Sequence, residues 1–90
     1  MVSEQELREG AMKIVKSYVE KLEEKSKTLG LKEFSATYSK IGDSLIDDLN
    51  NFFDEEKEDS YLRGSVAEEV MNHFRDEYRR IREQKKTQSE

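Results

Sequence analysis

The 90-residue sequence contains no cysteine, no proline and no tryptophan. Without cysteine the chain cannot form disulfides, iron–sulfur clusters, thiolate zinc sites or a thiolate nucleophile, and this composition fits a reducing compartment. Without proline, no residue forces a helix to break. Apolar residues make up only 33% of the chain and charged residues 41%, a balance close to that of disordered proteins. A chain this short can bury only a small core.

Long apolar runs are also missing. No stretch approaches the ~18 consecutive apolar residues that a membrane span needs. The first residues, from Met1 to Glu4, lack the basic-then-apolar order of a signal peptide. We therefore predict a soluble, cytoplasmic, single-domain protein with no membrane contact.

The apolar residues that are present recur every three or four positions in three separate segments. This spacing stacks side chains on one face of an α-helix and on no face of a strand, and disordered chains rarely carry it. The three stripes are Leu7, Ala11, Ile14, Val15, Tyr18, Leu22 and Leu29; then Leu31, Phe34, Tyr38, Ile41, Leu45, Leu49 and Phe52; then Ala67, Val70, Met71, Phe74, Tyr78 and Ile81.

Capping residues set the predicted helix boundaries. Ser3 followed by Glu6 is a capping-box pattern, and Gly30 suits the left-handed position that ends a helix. The first helix is therefore predicted over about residues 4–28. The second helix is predicted to begin between residues 32 and 35 and to end at residues 52–53. The third is predicted to begin at Ser60 or, with a second capping box, at Ser65. The segment 54–60 has no apolar residue and is assigned to the connection.

Three amphipathic helices with short connections predict an all-α fold, an antiparallel three-helix bundle over residues 1–81. The polar tail 82–90 is predicted to be frayed or disordered. The alternative is a helical hairpin that completes its core by dimerisation. Gly42 keeps that alternative open, because a glycine inside a helix permits close approach of a neighbouring helix.

Negative charge is concentrated in the middle of the chain. The net charge is −5, and residues 31–59 carry nine acids against three lysines. Phe52 and Phe53 diverge by about 100° on a helix, so both cannot point into the same core. An aromatic residue with a charged rim is typical of a protein interface. The predicted partner-binding residues are Asp43, Asp47, Asp48, Phe52, Phe53, Asp54 and Glu55; the alternative is a solvated face that only keeps the protein soluble.

Catalytic and metal signatures are not found. His73 is the only histidine, with Glu69 and Glu77 four residues away on either side, whereas a di-metal bundle needs Glu-x-x-His on two helices. The acidic stretch 48–59 lacks the glycine of a calcium loop, and the chain has no glycine-rich phosphate loop. We predict that the protein is not an enzyme and holds no metal or cofactor.

The C-terminal segment is basic but mixed in charge. Its cations are Arg75, Arg79, Arg80, Arg82, Lys85 and Lys86. Nucleic-acid interfaces use such runs, but Asp76, Glu77 and Glu83 interrupt this one and the whole chain is acidic. Nucleic-acid binding is therefore the third hypothesis for the function.

Two hypotheses rank above it. The first is a small protein-binding module of the inhibitor, immunity or adaptor type, which occupies a partner with a basic surface through the acidic second helix. Its association would be steered by charge and completed by burial of a few apolar anchors. The second is a structural or assembly subunit that works through homo-oligomerisation, for example as a homodimer.

Overall fold

The computed structural model describes residues 3–56 and 60–89, and within them the chain forms three α-helices and no strand. They are α1 (Glu4–Ser26), α2 (Leu31–Glu55) and α3 (Ser60–Ser89). α2 runs antiparallel to both neighbours in an elongated bundle of 50 × 18 × 17 Å. The predicted three-helix bundle is confirmed. Part of the predicted connection, residues 57–59, lies outside the described residues, as do residues 1, 2 and 90.

The start of α1 follows the sequence pattern. Ser3 has an extended backbone, and its side-chain hydroxyl accepts a hydrogen bond of 3.1 Å from the backbone N–H of Glu6. This bond satisfies one of the N–H groups that a helix leaves unpaired at its N-terminus. The predicted N-terminal cap is confirmed.

The role predicted for Gly30 is wrong. Its φ angle is −72°, which is not left-handed, and it is the N-cap of α2 rather than the residue that ends α1. The Gly30 backbone N–H donates a hydrogen bond of 3.0 Å to the carboxylate of Glu33. Because this cap starts α2 at once, the helix begins at Leu31, earlier than predicted.

Both later helices are longer than predicted. α2 continues two residues beyond Phe53, so the first part of the predicted connection is helical. α3 begins at Ser60 and passes through Gly64 and Ser65, which excludes the start at Ser65. It continues to Ser89 in the structure. Fraying of the 82–90 tail concerns dynamics and stays a prediction.

The core combines the three predicted stripes, and no polar or charged side chain of the described residues is buried in it. Three buried residues fall outside those stripes: Val19, Phe53 and Val66. The buried set is Leu7, Ala11, Val15, Tyr18, Val19, Leu22, Phe34, Leu45, Leu49, Phe53, Val66, Val70, Phe74, Tyr78 and Ile81.

Aromatic rings join α2 to α3. The Tyr38 ring stacks on Phe74 and on Tyr78, with ring centroids 5.4 Å and 3.8 Å apart, and Phe34 lies 5.3 Å from Tyr78. The hydroxyls of Ser35 and Tyr78 are hydrogen-bonded at 2.8 Å. These contacts place the N-terminal half of α2 against the C-terminal half of α3.

Candidate protein-docking surfaces on α2

The seven predicted partner-binding residues lie on three different sides of α2. Asp43, Asp47 and Asp54 follow one another at helical spacing and form one stripe. Asp48 and Glu55 lie on the side that faces α1, together with Phe52. Phe53 points into the core. The acidic segment is therefore not one continuous docking surface.

Phe53 is a core residue with no exposed surface. Its ring lies 5.5 Å from that of Phe52, and the Arg63 guanidinium lies 5.6 Å from the ring centroid. A fully buried ring cannot contact a partner without unfolding the end of the bundle, so the prediction that made Phe53 a surface anchor is corrected. Helical spacing gives the angle between Phe52 and Phe53, but only packing decides which of the two turns inward.

An open groove runs between α1 and α2 and contains three of the predicted residues. We call it the α1/α2 groove. Its volume is about 380 Å³, and its floor and rim combine apolar, hydroxyl, amide and charged groups. The lining residues are Ile14, Ser17, Tyr18, Lys21, Asp48, Asn51, Phe52 and Glu55.

Phe52 is half-buried at one end of this groove and lies directly over Gly10 of α1. A Cβ atom built on Gly10 would lie 2.5 Å from Cζ of Phe52, closer than carbon atoms approach without displacement. The Phe52 ring therefore packs directly against the backbone of Gly10. The sequence offered a signal for this in a glycine within a helix, which is unfavourable unless it serves close packing.

Tyr18 and Asp48 connect the two walls of the groove. The Tyr18 hydroxyl donates a hydrogen bond to the Asp48 carboxylate, and Lys21 Nζ lies 4.2 Å from the centroid of the Tyr18 ring. Burial, reinforced by this hydrogen bond and by the charges of Asp48 and Asp47, raises the pKa of Tyr18 to about 12. Tyr18 therefore remains a neutral hydrogen-bond donor over the physiological pH range, which holds the carboxylate of Asp48 in place.

The other acidic stripe borders α3. The Arg63 guanidinium donates to the Asp54 carboxylate at 2.6 Å and to Asn50 Oδ1 at 3.2 Å. Asp43 and Asp47 precede these residues on the same stripe and are exposed. Within residues 3–56 and 60–89, neither forms an ion pair.

The C-terminal basic run divides between two sides of α3. Arg80 bonds the carboxylates of Glu77 at 2.7 Å and of Glu23 at 2.9 Å, so it belongs to the contact between α1 and α3. Lys85 donates to the backbone carbonyls of Ser26 and Leu29, both at 2.6 Å. The basic residues predicted for nucleic acid are therefore not one surface. Arg75, Arg79 and Arg82 lie together on another side of α3 at helical spacing.

No metal-binding geometry is found in the part of the chain that the structure describes: it contains no group of three His, Asp or Glu side chains placed to hold an ion. Among the same residues, no helix is long and apolar enough to cross a membrane. Comparisons with protein-family models, with curated proteins and with solved structures found no match. The functional inference is therefore carried by the groove and the two acidic stripes.

Proposed function

We propose that this protein is a small helical protein-binding module that acts by occupying a partner through the α1/α2 groove. The observation that carries the proposal is Phe52, a half-buried aromatic ring at an open groove whose rim holds the carboxylates of Asp48 and Glu55. An apolar anchor surrounded by charge is the usual arrangement at the centre of a protein interface.

The composition of the groove also supports a protein partner. Its apolar part, Ile14 and Phe52, is half-buried and can lose its remaining exposed surface on binding. Its acidic part does not neutralise itself within the fold: among the described residues, Glu55 makes no ion pair and Asp48 accepts its hydrogen bond from a neutral phenol. A partner with a basic rim around an apolar pocket complements this surface. Inhibition, immunity and adaptor roles all use such a mechanism of occupancy.

Binding would proceed in two physical steps. Exposed carboxylates attract a basic surface over a distance set by the Debye length, ~10 Å at 0.1 M salt, and so raise the association rate. Burial of the Phe52 and Ile14 side chains then slows dissociation, because apolar area removed from water stabilises the complex by roughly 25 cal/mol per Å².

The experiment is capture of partners from the native host on the immobilised protein, in parallel with three variants. Phe52→Ala removes the anchor and Glu55→Lys reverses a rim charge. Glu20→Lys is the matched control, because Glu20 is exposed on α1 and outside the groove. The proposal expects a protein that the parent and Glu20→Lys retain and that both groove variants lose, with Glu55→Lys slowing its association most at low salt. A protein retained equally by all four would remove the groove from the function.

Gly10→Ala probes the seat of the anchor without touching any charge. In an ordinary helix position this change stabilises by ~1 kcal/mol. Here the new methyl group must displace the Phe52 ring, so we expect the gain to be lost in the parent and recovered in the Phe52→Ala background. A double-mutant cycle of urea unfolding measures that coupling. Equal effects of Gly10→Ala in both backgrounds would mean that Phe52 does not rest on Gly10 in solution.

A further inference from the structure

A row of cations runs along the C-terminal half of α3. Its members are spaced by four, three and four residues, so they lie on one side of the helix, and all of them are exposed. They are Arg75, Arg79, Arg82 and Lys86. At 1.5 Å per residue the row is about 16 Å long. We call it the basic ridge. It does not include the α1/α2 groove, so a role for it is independent of the function proposed for the groove.

The cations of the basic ridge are little used within the fold. Among residues 3–56 and 60–89, Arg79 and Arg82 form no ion pair, and Arg75 bonds only the side chain of Asn72 on its own helix. Lys86 has one long ion pair, of 3.6 Å, within its own helix. The guanidinium groups of the ridge therefore remain able to bond an anion from outside the chain.

Hydroxyl groups of α2 border the basic ridge. Arg75 and Arg79 lie close to the Tyr38 phenol: burial raises its pKa, and the positive charges of the two arginines oppose that rise. Ser35, whose hydroxyl is bonded to α3 at 2.8 Å, and Ser39 one turn later are exposed on the same side of α2. Guanidinium and hydroxyl groups are the side-chain groups that bond phosphate oxygens in complexes with nucleic acids.

The basic ridge belongs to a basic half of the helix pair. The N-terminal half of α2 packs against the C-terminal half of α3, and together residues 31–42 and 72–89 carry four acids and eight bases. The other halves of the two helices, residues 43–56 and 60–71, carry eight acids and one base. Folding thus separates the charge of α2 and α3 along the length of the bundle.

This separation means that the acidity of the whole chain does not oppose binding of an anion at the ridge. The bundle is 50 Å long, whereas charges in water are screened over a Debye length of ~8 Å at physiological ionic strength. An anion on the C-terminal half of α3 is therefore attracted by the nearby arginines and is screened from most of the distant carboxylates.

The apolar surface distinguishes between the classes of anionic partner. In the described part of the chain, the two large apolar side chains that are exposed, Ile46 and Tyr61, both lie in the acidic half. Protein interfaces are centred on apolar anchors, and helices that lie on membranes insert large apolar side chains. The basic ridge offers arginines instead, whose planar guanidinium groups match the geometry of phosphate. This composition favours a nucleic acid.

We propose that the basic ridge binds the phosphate backbone of a nucleic acid, with Arg75, Arg79 and Arg82 bonding phosphates and Lys86 adding a fourth charge. Phosphate contacts carry no sequence information, so the binding should not depend on sequence. Each neutralised phosphate releases counterions, and for a DNA duplex the logarithm of the affinity falls by about 0.9 per contact with the logarithm of salt concentration. Four contacts predict a slope of about −3.6.

Fluorescence anisotropy of a labelled DNA duplex of about 20 base pairs, at about 0.02–0.1 M salt, measures both the affinity and this slope. Arg79→Gln and Arg82→Gln should each weaken binding roughly fivefold to tenfold at 0.1 M salt and make the slope shallower by about 0.9. Lys25→Gln and Lys27→Gln, at exposed positions near the end of α1, are the matched controls. They change the net charge equally but should leave the slope as in the parent. Because all four positions are exposed, urea unfolding should show the midpoint of the parent for every variant.

Two other polyanions test the class of partner. Polyglutamate and vesicles with about 30% anionic lipid should compete with the duplex at least ~10-fold less well than unlabelled DNA at equal anionic charge. Equal competition by polyglutamate would assign the ridge to an acidic protein, and equal competition by vesicles would assign it to a membrane surface; either result would overturn the proposal. So would a parent that does not bind the duplex at 0.02 M salt, or a slope that Arg79→Gln and Arg82→Gln leave unchanged.

Discussion

The contact of α3 with α1 and its contact with α2 are built differently. Between α1 and α3, charged side chains bridge the helices along the bundle: Arg8 bonds Glu69, Arg80 bonds Glu23, and Lys85 bonds carbonyls at the end of α1. Between α2 and α3, stacked aromatic rings make most of the specific contacts, and the ion pair Arg63–Asp54 lies at one end.

The difference shows where the charge of this protein is used. Glu23 on α1 and Glu69 on α3 are bonded to arginines of the facing helix, whereas Asp43 and Asp47 on α2 form no ion pair among the described residues. α2 is held mainly by apolar burial, with Asp54 and Asp48 bonded to α3 and α1, so Asp43, Asp47 and Glu55 remain available to another molecule.

The largest expected effect is on the aromatic contact. Phe74→Ala and Leu45→Ala remove fully buried side chains and should lower the free energy of unfolding by ~3–5 and ~2–5 kcal/mol. Ile46→Ala is the matched control, because Ile46 adjoins Leu45 in sequence but is exposed, and its effect should stay within about 0.5 kcal/mol. Urea unfolding measures all three. Equal midpoints for Leu45→Ala and Ile46→Ala would show that the rotation of α2 is wrong.

A smaller effect is expected at the end of the contact between α1 and α3. Lys85→Met removes the two hydrogen bonds to Ser26 and Leu29 and should destabilise by about 1.5–3 kcal/mol, as losses of bonds to charged groups do. Lys86→Met, at an exposed neighbour, should change stability by less than about 0.5 kcal/mol. Urea unfolding measures both variants. If both have the same unfolding midpoint as the parent, the 82–90 segment frays in solution, as its polar composition predicts.

The smallest effect is expected at the hydrogen bond that joins α1 to α2. Tyr18→Phe should lower the free energy of unfolding by about 0.5–1.5 kcal/mol at neutral pH. The pKa of Tyr18 rises from 10.0 to about 12 on folding, so the unfolded chain loses this proton first as pH rises. The stability from Tyr18 is therefore complete below pH 10 and is lost as pH approaches 12. Urea unfolding from pH 8 upward should show the parent losing its advantage over Tyr18→Phe; a constant difference would contradict the shift.

Much of the fold could be predicted from local pattern. The helical spacing from Leu7 to Leu22 and from Phe34 to Leu49 identified most of the core, because apolar residues that recur at this spacing form the side of a helix that packs away from water. Ser3 was recognisable because its cap is made within one turn. Gly30 was misassigned because a glycine between two helices can end the first or begin the second, and the local sequence does not distinguish them.

The candidate surfaces were only partly predictable. Asp47 adjoins Asp48 in the sequence, and Arg79 adjoins Arg80. In the structure Asp48 accepts a hydrogen bond from Tyr18 and Arg80 bonds Glu23, whereas Asp47 and Arg79 form no ion pair among the described residues. Gly10 could not be tied to Phe52 from the sequence, since the two are far apart along the chain and meet only across the helix pair.

By itself the sequence determined that there are three helices, which side of each is apolar, and that negative charge concentrates on α2. Only the tertiary structure decided that Phe53 is buried and Phe52 lines a groove, and that Arg80 and Lys85 hold α1. The physical reason is that periodicity sets the angles between side chains within a helix. The rotation and axial register of one helix against another depend on how large side chains fill the shared core.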